Sequence, residues 1–147
     1  MKLLSFLQDA GPDHRGRYLS DLWQFNDEQI ESTPDFIQWV FPLAEASGAF
    51  PSAPVLEPAE IDLIHKSSPA TMNVERSTEW FLGFLSRSRH WLREYDHNHL
   101  RITRMIRCNR LLLGQLAADS VRSRVLKLAE KSKGKISDEA IGYWKRT

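Results

Sequence analysis

All seven prolines of this 147-residue chain, from Pro12 to Pro69, lie in its first 69 residues, and everything after them is proline-free. Proline lacks the backbone N–H and clashes with the preceding helical turn, so the first part can hold only short, interrupted helices while the rest is free to form long ones. The proline-free part also holds more than half of the leucines, and only two of the five valines follow Val74. Unbranched and γ-branched side chains lose little rotamer freedom in a helix, which favours helix over strand there. No run alternates apolar and polar positions with β-branched residues. The chain therefore reads as all-α, a compact multi-helix single domain over residues 1–147. At this length and 41% hydrophobic content a sizeable core forms without a disulfide or a metal. The lone Cys108 has no intramolecular partner, which points to a reducing, cytoplasmic setting. No stretch approaches the roughly 18 apolar residues of a membrane span, and the N-terminus lacks a signal-type apolar run and cleavage site.

Turn residues and apolar spacing place the elements. Leu3, Leu4, Phe6 and Leu7 form one apolar turn stopped by Gly11-Pro12. Tyr18 to Phe25 predicts a second helix ending near Asn26. Thr33-Pro34-Asp35 reads as a helix start, with a hydroxyl cap, a proline and an acid, and Pro42 ends that helix. Residues 42–57 read as an extended connector over the surface, and Pro58 opens a short helix. Ser68-Pro69 starts a longer helix whose stripe of Trp80, Phe81, Phe84, Leu85 and Trp91 extends it to the low nineties. Asp96 or Asn98 caps the next helix. It carries Ile102, Met105, Ile106, Leu113 and Leu116 on one face and Leu100 and Leu111 on the other. A helix near 98–113 that is apolar on two sides belongs at the centre. Gly114 allows a break before Val121, Val125 and Leu128, and Ser137-Asp138-Glu139 starts a terminal helix.

The near-neutral total, +1, conceals two opposite poles. Up to Trp80 there are 5 basic against 13 acidic residues, and beyond it 15 against 6. Two halves that neutralise each other give one reading; a basic face offered to nucleic acid, built on Arg122, Arg124, Lys127, Lys131 and Lys133, is the alternative. Arg101, Arg104, Arg107 and Arg110 sweep around the central helix at three-residue intervals, so some are partly buried and require carboxylate or carbonyl partners. Arg101 and Arg104 are expected as internal anchors, served by Asp21, Asp27, Glu28, Glu31 and Asp35. Trp39 and the other tryptophans read as core anchors.

Catalytic and metal signals are weak. In Asp96-His97-Asn98-His99 the two imidazoles point about 200° apart on a helix and cannot share an ion. Asp96 is then a cap. Cys108 reads as a small buried hydrophobe. Gly11-Pro12-Asp13-His14-Arg15-Gly16-Arg17 resembles an anion-holding loop only loosely, and reads as a turn closed by Asp13. Nucleophile, zinc-helix and phosphate-loop motifs are missing. Neither metal nor cofactor is expected, and an enzyme combining His14 and His97 with acids of the first half is the least favoured reading.

The loop at 11–17 is followed by Leu22-Trp23, by Phe36-Ile37-Gln38-Trp39-Val40-Phe41-Pro42-Leu43, by Ala53-Pro54-Val55-Leu56 and by His97-Asn98-His99-Leu100-Arg101-Ile102-Thr103-Arg104-Met105-Ile106. This succession, from about residue 6 to about residue 128, resembles the conserved domain of the opioid growth factor receptor family, in its compact form without the repeat-bearing tail. The resemblance implies an all-helical domain. It also implies a non-enzymatic receptor-like module that binds a peptide or protein, since vertebrate members are described as nucleus-associated receptors for the pentapeptide Met-enkephalin. Through the shared motifs it nominates Gln38, His97, Asn98 and Arg101 as ligand-binding residues. Pro34 and Phe36 stand where the family pattern has His and Tyr.

Overall fold

The computed structural model describes residues 1–147 and is built of helices alone. Four short helices come first: α1 (Lys2–Leu7), α2 (Leu19–Leu22), α3 (Asp27–Ser32) and α4 (Ile37–Val40). After a connector come α5 (Pro58–His65), α6 (Ser68–Arg87), α7 (His97–Leu113), α8 (Gln115–Ala129) and α9 (Asp138–Arg146). A short 3-10 turn, Glu130–Ser132, follows α8. No helix is long and apolar enough to cross a membrane.

The texture of the sequence is reproduced, with instructive departures. The helix expected from Tyr18 to near Asn26 is shorter, α2 stopping at Leu22, and Asn26 caps a further helix, α3, that the spacing did not place. Asn26 and Gln29 accept from each other's backbone N–H groups in a reciprocal box, a signal the apolar spacing hid. Thr33-Pro34-Asp35 does not start a helix. Thr33 ends α3, and α4 begins only after Phe36. Asp35 is instead captured by His14, Arg15 and Arg17, so its carboxylate serves a tertiary contact. The stripe reaching Trp91 is also misleading, for α6 ends at Arg87 and Ser88 is extended. Trp91 turns back, and its indole N–H donates to Leu85 O at 2.9 Å, satisfying a carbonyl that the helix end leaves open.

Buried side chains form one cluster that extends from Leu3 to Trp144. α7 lies at its centre, packed by α5, α6, α8 and α9. Ile102, Met105, Ile106, Cys108 and Leu112 are buried along it. Its second apolar side is covered only in part. Leu111 packs against the core, but Leu100 is 75% exposed, on the side of the first turn of α7 that opens onto two cavities. Leu116, expected on the main face with Ile102, Met105, Ile106 and Leu113, is 87% exposed: Gly114 turns the chain at φ +108 into α8, and the periodicity restarts there.

Candidate functional site

Exposure of Leu100 coincides with a groove of about 850 Å³. One wall is α7 from its first turn to Arg107, with His97, Leu100, Arg101, Arg104 and Arg107. Opposite stand the end of α3, the one-turn α4 through Ile37 and Gln38, and the connector from Leu43 to Phe50. The connector is non-helical because Pro42, Gly48, Pro51 and Pro54 leave no uninterrupted turn. It is held by Leu56 N–H donating to Leu43 O at 2.9 Å, and by an ion pair between Glu45 and Arg107.

Three of the four residues nominated for ligand binding, Gln38, His97 and Arg101, line this groove. Asn98 does not. It is fully buried behind the wall, where its Nδ2 donates to Glu31 at 2.9 Å and its Oδ1 accepts from Arg101 at 3.3 Å. Asn98 therefore orients two groove residues. Sequence reasoning missed the connector, Leu43 and Phe50 above all, although an isolated aromatic among Pro and Gly with no helix to bury it was the available signal.

Arg101 is buried and donates to Ile30 O and Thr33 O, both at 2.8 Å, with its guanidinium 5.1 Å from the Phe36 ring centre. Arg104 donates from Nε to Phe41 O at 2.8 Å. Both are held by main-chain carbonyls at helix ends. The carboxylates expected as partners, Asp21, Asp27, Glu28, Glu31 and Asp35, make no ion pair with either. The end of α3 and the break before Pro42 leave carbonyls free of helical bonds, and those supply the acceptors. Burial pushes both guanidinium pKa values down. Glu31 and Asp96 oppose this for Arg101, whereas around Arg104 Cys108 and Glu45 oppose it and Arg107 adds to it. Trp39 is buried with its edge toward Phe6, 5.4 Å between ring centres, and His14 stacks on it at 6.0 Å.

Gln38 is buried, and its Oε1 accepts no hydrogen bond. It also borders a smaller cavity of about 240 Å³, lined in part by His14, Asp35 and Phe50. His14 and His97 thus belong to different cavities. His97 Nε2 lies 3.1 Å from Glu31 O, while His99 points inward to Trp91 O at 2.7 Å, so the two imidazoles diverge. Glu31, Asp96 and His97 approach one another closely enough to hold an ion, but their oxygens are already engaged. Asp96 accepts the Asn98 N–H as the α7 cap and pairs with Arg93, and Glu31 accepts from Asn98.

The loop at 11–17 folds on itself. Asp13 Oδ1 accepts from the backbone N–H groups of Arg15 and Arg17, and Arg17 bridges Asp13 and Asp35. Burial raises the Asp35 pKa, but hydrogen bonds from Arg15, Arg17 and His14, with the Arg17 charge, hold it below the ordinary value. Its cations are consumed internally. On α8, Arg122 pairs with Asp119 and Arg124 with Glu79, while Lys127, Lys131, Lys133 and Lys135 remain exposed.

Residues 13–88 match the family described as opioid growth factor receptor (OGFr) conserved region. That stretch contains α2 to α6 and the connector wall; His97–Ile106 lies beyond it. Opioid growth factor receptor-like protein 1 of Mus musculus is 28% identical over 88% of this chain and 32% of its own length. Its counterpart from Rattus norvegicus is 29% identical with the same coverage. The chain spans about a third of the length of these relatives. No solved structure matches. With more than half of its residues inside the conserved region, and an all-helical fold to match, the chain belongs to the opioid growth factor receptor family.

Proposed function

We propose that the chain is a non-enzymatic module that binds a short peptide, or an extended segment of a partner protein, in the groove between α7 and the connector. The groove itself carries this reading: it sets apolar surface from Ile37, Leu43, Phe50 and Leu100 beside a buried, unpaired Gln38 carbonyl. Pockets that combine an apolar lining with a few fixed polar groups are the usual form of a ligand site. The receptor names of the relatives support it.

A pool of pentapeptides that includes Met-enkephalin, titrated into labelled protein and followed by NMR, tests the proposal. Shifts clustered at Gln38, Leu100 and Arg101 are expected. Silence of the groove at millimolar peptide overturns it. So does a response confined to Lys127, Lys131 and Lys133 on adding a DNA duplex, with an affinity that falls steeply with salt, which is the mark of counterion release.

A further inference from the structure

Arg104 differs from the other cations of the groove. Arg107 is paired with Glu45, and Arg101 has Ile30 O, Thr33 O and Asn98 Oδ1 as acceptors. Arg104 donates through Nε alone, to Phe41 O. Its other four N–H donors have no acceptor on the chain, and the residue lines the cavity. Phe41 follows Gln38 by three residues, so the carbonyl that fixes Arg104 and the unpaired Oε1 of Gln38 come from the same short segment. A partly desolvated guanidinium with free Nη donors and a buried amide oxygen without a donor thus belong to one groove, and a ligand that brings both an acceptor and a donor can complete both.

Given that the groove is the binding site, we infer that its ligand is a peptide presenting a carboxylate, which Arg104 receives on its Nη groups while Gln38 Oε1 accepts a peptide N–H. The planar fork of a guanidinium matches a carboxylate in two parallel hydrogen bonds. Glu31 and Glu45 also line the groove, and they repel a doubly charged phosphate more than a singly charged carboxylate. The carboxylate can come from a chain terminus or from an acidic side chain.

Three probes separate these cases on the intact protein: N-acetyl-phenylalanine, its amide, and N-acetyl-phenylalanyl-aspartamide, whose single carboxylate is on the side chain. At least one of the two acids is expected to bind about tenfold or more tightly than the amide, the scale of a charge-assisted pair, and to shift the Arg104 Nε–H resonance. The better acid identifies the source. Equal binding of acid and amide in the groove overturns the carboxylate assignment and leaves the groove reading standing. No response at the groove to any probe, nor to the pentapeptide pool, removes both. As a second measurement, Arg104→Lys keeps the charge but loses the fork and is expected to narrow the acid-to-amide ratio, and Gln38→Met to weaken acid and amide alike. An unchanged ratio in Arg104→Lys counts against the assignment.

Discussion

Arg101 fastens α7 to the end of α3 through backbone carbonyls that lie 71 and 68 residues away in the chain. Replacing it by Met leaves Ile30 O, Thr33 O and Asn98 Oδ1 without donors. A loss of about 2–4 kcal/mol is expected in chemical denaturation. Asp35 sets the acid limb of stability. Its folded pKa lies below the ordinary 3.8, so its contribution is complete above that value and disappears as pH falls through the folded pKa. Asp35→Asn is therefore expected to lower stability at neutral pH and to flatten the pH dependence below about pH 4, measured by melting across a pH series. Cys108 is fully buried, and burial raises its pKa to about 12. A thiol reagent at neutral pH is expected to label it only at the rate of global opening. That Arg101 and Arg104 turn inward was readable from their three-residue spacing around an apolar helix. Which acceptors they reach was not, because carbonyls at helix ends are available wherever the chain breaks and leave no mark in side-chain composition.

At the level of elements, the sequence was most legible where local chemistry and tertiary need agree. Ser137 caps α9 as expected, its Oγ accepting from Ala140 N–H at 3.2 Å. Ser137→Ala is expected to cost about 1 kcal/mol, read from the denaturation midpoint. Gly114 has φ +108 and ψ 174, backbone that residues with a Cβ rarely adopt. Open space surrounds it, so Gly114→Ala suffers from conformation and not from collision, and a loss of about 1–3 kcal/mol is expected. Legibility failed where a strong local signal met a stronger distant one. Asp35 suits a helix start, but Arg15, Arg17 and the His14 ring of the loop at 11–17 hold it elsewhere. Trp91 continues the spacing of α6, yet Ser86 to His90 give the helix no apolar contact to sustain it, and the ring packs edge-on to Trp144 instead. The connector was placed correctly as extended chain, but its part in a groove depends on what faces it, which spacing along one segment cannot show.

Over the whole molecule the acidic and basic halves meet through exposed ion pairs, Asp27 with Arg87, Glu79 with Arg124 and Glu45 with Arg107. Pairs in water contribute little each, so the division of charge keeps the two halves from repelling themselves more than it binds them together. The melting temperature is accordingly expected to change by no more than a few degrees between low and high salt. The helix that carries the core also forms one bank of the groove. Occupancy and folding are therefore linked through α7: a ligand at a hundred times its dissociation constant adds about 2.7 kcal/mol to the folded state. Thermal melting in the presence of candidate compounds thus serves as a search for the natural ligand, one that requires neither a chemical reaction nor a guess at what the molecule recognises.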